Sequence, residues 1–370
     1  MSMQPLTGIK VLDFSTLLPG PMCTLMLADA GAEVIKIERS GGDEMRSYEP
    51  KLGTDSVNFA LLNRGKKSII ADLKSAEIRE QIESLIGQAD VILEQFRPGV
   101  MDRLGLGYAD AKKINPKIIY CSITGYGQTG PDAMIAAHDL NYQAQTGMLS
   151  LSADDQGTHI IPPTLTADLA GGAYPAIINI LLALRQRDQT GSGVHLDISM
   201  SDNLFSLMYW GLGNGWSTSQ WPKPAQDLVT GGSPRYQIYK TADQQFLACA
   251  PIEEKFWFNF LQIIGAPELQ STIFDDVAKS KIATIIASKP INYWLEQFSG
   301  QDVCVNRVAS LQEATQDPHF IERGLFKRTI KTADGAQITA LPTILSSGFL
   351  SPEADAISPS LGQHTGEILK

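Results

Sequence analysis

The stretch AAHDLNYQAQTG, residues 136 to 147, sets His138 beside Asp139, and PPTLTADLAGG further on sets Asp168 among small residues. Neither stretch offers metal ligands at ligand spacing or a serine nucleophile motif. An imidazole and a carboxylate flanking one carbon suit removal of a proton from one face and delivery to the other. Gly125, Gly127, Gly147, Gly171 and Gly172 surround the pair in sequence and would let backbone N–H groups approach a developing enolate oxygen. Taken singly, each group has a plainer role. His138 fits a hydrogen-bonded structural residue, and Asp168 fits the first turn of a helix, where free N–H groups and the dipole favour a carboxylate.

Cations form a second pattern. Arg39 closes one apolar run, NRGKKS places Arg64, Lys66 and Lys67 before another, and FRPG places Arg97 after a third. In a parallel sheet the ends of neighbouring strands converge on one edge, where such charges can share a phosphate-bearing ligand. Arg39 and Arg97 follow their strands, whereas Arg64 to Lys67 precede theirs, so only a loop folding back would join all of them. The formal net charge of -10 makes a local cluster necessary for any anionic ligand and argues against a nucleic-acid partner. GYGQTG at 125 to 130 matches a dinucleotide fingerprint literally, but Pro131 and Asp132 follow it where a helix should begin. It reads as a loop whose backbone can approach a ligand.

The elements that must position these groups are legible as alternation. IKVLDF, AEVIKIE, KSIIADL, DVILEQF and KIIYCSI read as strands buried on both faces. PMCTLMLADAG and SAEIREQIESLIGQA between them carry apolar residues at helical spacing. The expected fold class is α/β: a Rossmann-like parallel-sheet large domain over 1–200 and a smaller α+β domain over 233–324. The strand- and loop-rich tail over 325–370 lacks a core of its own and should pack on something already built. SDNLFSLMYW predicts a helix, and the Gly/Pro/Trp-rich section from Gly211 to Ser233 resembles a linker, which places the domain boundary within 201–232. One long helix is expected from Thr166 to about Arg187; its apolar stretch ends in arginines and reads as buried, with no membrane partner. YQIYKTADQQFLACA predicts a hairpin around residues 241–245, and helices are expected near 254–264, 277–288 and 291–298. The four cysteines show no CxxC spacing, and the opening MSMQPLTGIKVLDF lacks a basic segment followed by an apolar one. Both point to reduced thiols and a cytoplasmic location.

TGIKVLDF, LADAGAEVIKIER, NRGKKSIIADLK, EQFRPGVMDRLGLGY, YCSITGYGQTGP, HDLNYQAQTG, ADLAGG, GGSPRYQIYKTADQQFLACAPIEEKFW and EATQDPHFIERG occur in this order along nearly the whole chain. Together they resemble the class III CoA-transferase superfamily (CaiB/BaiF type), and within it the α-methylacyl-CoA racemases most. The resemblance implies a racemase acting on (R)- and (S)-2-methylacyl-CoA thioesters through an enolate. Asp168 and His138 would exchange the proton, with Glu253 tuning the imidazole. It implies coenzyme A thioester as substrate, no prosthetic group or metal, and Arg39, Arg64, Lys66, Arg97 and Tyr142 as residues that hold it. The alternative is a CoA transferase working through an aspartyl-acyl anhydride at Asp168. One departure from the racemase pattern is Glu254-Lys255 where racemases often carry Pro-Gln. The resemblance further implies that 325–370 completes the large domain of 1–200, and that the protein is an interlocked homodimer, each chain passing through a ring formed by its partner.

Overall fold

The computed structural model describes residues 4–154, 157–332, 334–350 and 355–369. They form two compact units: one of residues 1–146, 164–207 and 318–370, the other of residues 147–163 and 208–317.

The first unit is built on six parallel strands: β1 (Lys10–Asp13), β2 (Glu33–Glu38), β3 (Lys67–Ile70), β4 (Val91–Glu94), β5 (Ile119–Thr124) and β6 (His195–Ser199). Their spatial order is β3-β2-β1-β4-β5-β6, parallel at every pairing. Every residue of β4 and β5 is buried, as apolar runs without alternation require when helices cover both faces. On one face α1 (Pro19–Asp29) contributes Met22, Cys23, Leu25, Met26 and Leu27, all buried. α2 (Ala76–Ile86) starts at Ser75, whose hydroxyl accepts the Ile78 N–H, and buries Ile82, Leu85 and Ile86 against Leu12, Ile35 and Ile92.

The long helix expected from Thr166 is present but begins differently. Ala167–Ala173 is π-helical, and only Tyr174–Thr190 is α-helical. Packing explains the wide turn. A Cβ on Gly171 would stand 2.2 Å from the Met200 carbonyl oxygen, so the absence of one lets the two backbones touch. By length and composition Ala167–Thr190 could cross a membrane, yet half of its apolar window is buried in the protein. Near its end Arg187 pairs with Asp90 at 2.7 Å.

The helix expected around SDNLFSLMYW is present, and a further helix runs into the section from Gly211 that was expected as a linker. Met200–Leu207 and Tyr209–Thr218 are α-helical, and the second of these belongs to the second unit. Two of its glycines serve packing: a Cβ on Gly211 would stand 2.9 Å from Pro222, and one on Gly215 would stand 2.3 Å from the Trp221 ring. The second unit also includes residues 147–163 and ends at Asp317, seven residues before the expected boundary at 324. Its antiparallel sheet joins β7 (Gln237–Lys240), β8 (Phe246–Cys249) and β9 (Val305–Arg307), the first two forming the expected hairpin. Helices Glu254–Ile264, Asp276–Ile286 and Ile291–Phe298 cover it. Trp257, Phe260, Phe298 and Trp294 stack in sequence through their core.

The C-terminal tail forms β10 (Thr329–Lys331), β11 (Gln337–Thr339) and β12 (Asp355–Ile357). It has little core of its own, as expected: Ile330 and Ala340 pack on Ala60 of the first unit. The tail also completes hydrogen bonds at the sheet edge, where Ser68 N–H donates to His364 Nδ1 and Ile70 N–H donates to Thr365 Oγ1. Such contacts answer the problem of an open parallel edge.

Candidate active site

The strand order reverses direction between β1 and β4, and in such sheets the crevice beyond the strand ends at this point is where ligands bind. A cavity of about 360 Å³ lies there. Leu17 and Pro19 after β1, Gln95 to Pro98 after β4, and Gly125 after β5 form its walls. His138, Tyr142 and Asp168 line the same cavity, so two stretches distant in sequence do meet.

Asp168 occupies the first turn of the π-helical segment. The residue that holds this turn is Asp139, which sequence reasoning treated only as a neighbour of the histidine. Asp139 is 5% exposed, and its Oδ1 accepts the N–H groups of Ala167 at 2.7 Å and Asp168 at 3.0 Å. Its Oδ2 accepts from Gln143 Nε2 at 2.6 Å. The available signal was Asp139 and Gln143 four apart at a helix start, which lets the amide brace the carboxylate. Burial first, and then the Asp139 charge, push the Asp168 carboxyl up to about 7. A carboxyl there both takes and gives a proton near neutral pH. His138 is exposed at the N-cap of the helix Asp139–Gln145, and its N–H donates to Asn141 Oδ1 at 3.0 Å. Tyr142 is buried; its hydroxyl donates to the Ala137 carbonyl at 2.9 Å, and burial followed by the Asp168 charge raise it to about 12. It is a wall of the cavity with its hydroxyl already committed.

The expected cation cluster divides. Arg97 is exposed and lines the cavity. Arg39 is exposed at the end of β2, paired with Glu44 and donating to the Gly42 carbonyl. Arg64 and Lys66 correct the expectation, because both turn inward. Arg64 is 1% exposed and pairs with Asp29 at 2.8 Å while donating to the Leu341 carbonyl. Lys66 donates to Asp13, Thr24, Asn63 and the Pro21 carbonyl. Guanidinium and ammonium groups so enclosed have no donor to turn toward a phosphate in solvent. Glu253 lies in the second unit, exposed, as the N-cap of the helix Glu254–Ile264. Gly171 and Gly172 admit Met200, and Gly125 lines the cavity; GYGQTG is a loop, as expected, its Gln128 N–H held by Asp197 at 3.0 Å.

Residues 6–365 match the sequence model of CoA-transferase family III. The chain belongs to this family. Among relatives of family III, it is 35% identical to "Alpha-methylacyl-CoA racemase" of Mus musculus, over 99% of this chain and 92% of that protein. It is 32% identical to "Acetyl-CoA:oxalate CoA-transferase" of Acetobacter aceti, over 99% and 95%. The crystal structure of a CAIB/BAIF family protein from Brucella suis matches its fold with a TM-score of 0.85, at 28% identity, over 99% of each chain. The α/β architecture with a six-stranded parallel sheet is therefore that of family III, whose racemases and transferases both resemble this chain at similar identity.

Proposed function

We propose that this family III enzyme interconverts (R)- and (S)-2-methylacyl-CoA thioesters. The observation that supports this most is that His138 and Asp168 line one cavity, with Asp168 titrating at about 7. One of the two takes the α-proton, the electron pair moves onto the thioester carbonyl as an enolate, and the other delivers a proton to the opposite face. Arg97 at the cavity and Arg39 after β2 hold the coenzyme A phosphates, and Glu253 tunes the imidazole. No prosthetic group takes part in this reading. An interlocked homodimer belongs to it as well, supported by apolar side chains that a lone chain leaves in water: Ile178 and Leu182 at 54% and 63% exposure, Tyr209 and Trp216 at 76% and 74%. A cytoplasmic location is supported by four free cysteines, three of them buried.

The 32% identity to an oxalate CoA-transferase supports a second reading, in which Asp168 attacks the thioester carbonyl and expels the CoA thiolate, leaving an aspartyl-acyl anhydride. Incubation with a chiral 2-methylacyl-CoA in deuterium oxide separates them. The racemase incorporates deuterium at the α-carbon and scrambles the centre without any acyl acceptor. Retention of proton and configuration, with hydroxylamine converting the acylated Asp168 into an aspartyl hydroxamate and releasing the acyl group as its carboxylate, would replace it by the transferase.

A further inference from the structure

Four charged side chains lie inside the first unit behind the cavity. Asp13 and Lys36 are fully buried, Asp43 is 2% exposed and Lys66 4%. Lys66 pairs with Asp13 at 3.2 Å, and Lys36 pairs with Asp43 at 3.0 Å while donating to the Ser15 carbonyl at 2.8 Å. Ser15 is tied back to Asp13 through its N–H at 2.9 Å. Asp43 caps the short turn Glu44–Ser47 by accepting the Met45 N–H at 3.0 Å, and it also reaches Leu17, whose N–H points between the two Asp43 oxygens at 3.2 and 3.3 Å.

Leu17 is the residue of the β1–α1 loop that lines the cavity with His138 and Asp168, and its φ is 62°. A branched side chain avoids this left-handed region, and a residue stays there only where its surroundings over-determine it. Asp43 supplies that constraint at Leu17. Three residues on, Gln95 supplies another by accepting the Gly20 N–H at 3.0 Å. The two clamps come from the segments that follow β2 and β4, the strands on either side of β1.

We propose that Asp43 is a positioning residue for the acyl-CoA site. Its carboxylate holds Leu17 in the left-handed turn and so sets the cavity wall beside His138 and Asp168. Lys36 is the buried counter-charge of Asp43, paired with it at 3.0 Å. Asp43 touches no reacting atom. The inference rests on the reading that the acyl end of a CoA thioester occupies this cavity, whether the reaction is racemisation or transfer. Releasing the clamp therefore loosens recognition of the acyl group and leaves recognition of the coenzyme intact.

The test is a double-mutant cycle between positions 43 and 17, read as affinity for 2-methylacyl-CoA and for CoA alone, with KM and kcat of deuterium exchange. Asp43→Ala and Leu17→Ala should each weaken acyl-CoA about tenfold, with CoA affinity and kcat within about threefold. The double variant should match the weaker single variant, because both remove the same wall. Asp43→Asn keeps one acceptor for the Leu17 N–H and should lose only about threefold; it carries the cycle if Asp43→Ala does not fold. Equal losses for acyl-CoA and CoA, a change confined to melting temperature, or effects that multiply would each overturn the positioning role. A wild-type protein that binds no acyl-CoA overturns the functional reading and this inference together, whereas an uncoupled cycle in a binding protein overturns the inference alone.

Discussion

Asp13 and Asp168 are carboxylates of the same unit, and the more deeply buried of them is the stronger acid. Burial alone would raise Asp13, but Lys66 and Lys36, with the Ser15 and Thr24 hydroxyls, outweigh it and hold the group at about 2. Asp168 is only partly buried and faces Asp139, a second negative charge, so it sits at about 7. The difference shows that partners, not depth, decide whether a buried carboxyl is part of the scaffold or able to exchange protons. A donor-rich setting makes ionisation permanent, and a donor-poor setting leaves the proton negotiable.

The comparison breaks most visibly under Asp168→Asn. Exchange at the α-carbon should fall by about two to four orders of magnitude, the range of a positioned acid/base. The same variant should be more stable than the wild type above neutral pH. Asp168 titrates at 3.8 when unperturbed and at about 7 in the fold, so the stability held with the proton on is complete below about pH 4 and lost as pH rises through 7. The asparagine does not titrate. Its advantage in urea melts should grow between pH 4 and 7 to roughly 2–4 kcal/mol, then level off. A pH-independent difference would mean that Asp168 is not the donor-poor group described.

The opposite result is expected at the other carboxylate. Asp13→Ala leaves Lys66 and Lys36 buried with one partner fewer and should cost about 3–5 kcal/mol in chemical denaturation. If it instead abolishes exchange in a protein as stable as wild type, the division between scaffold and chemistry fails. The smallest effect concerns the cations. Arg97→Ala should raise KM for the CoA ester about tenfold, the loss of one charged hydrogen bond, with kcat little changed. Arg64→Ala should act on stability, because its guanidinium is closed in with Asp29. A KM effect of equal size at both positions would return Arg64 to the ligand.

The helix periods and apolar strands were readable because each is a local property. The hairpin at 237–249 and the helices at 254–264 and 291–298 lie where spacing placed them, and the third helix begins and ends within two residues of expectation. The stretch from Gly211 to Thr218 was read as linker because glycine signals flexibility in sequence, whereas it is helical and Gly215 is there to admit Trp221. Asp139 went unrecognised as the brace of Asp168 for a related reason: its two N–H partners are 28 and 29 positions away.

By itself the sequence determined that the chain folds as α/β with a parallel sheet, and which residue types could move a proton. Period and composition carry that information along the chain. Only the tertiary structure decided which charges face the cavity. NRGKKS offers Arg64 and Lys66 in a polar stretch that reads as surface, and the fold turns both inward onto Asp29 and Asp13. A side chain's direction depends on which elements pack beside it, and the carboxylates that capture these cations come from positions 35 and 53 residues earlier. The same holds for Asp168: its type is written in the sequence, but its proton affinity follows from the burial and the neighbouring Asp139 charge that the folded chain imposes on it.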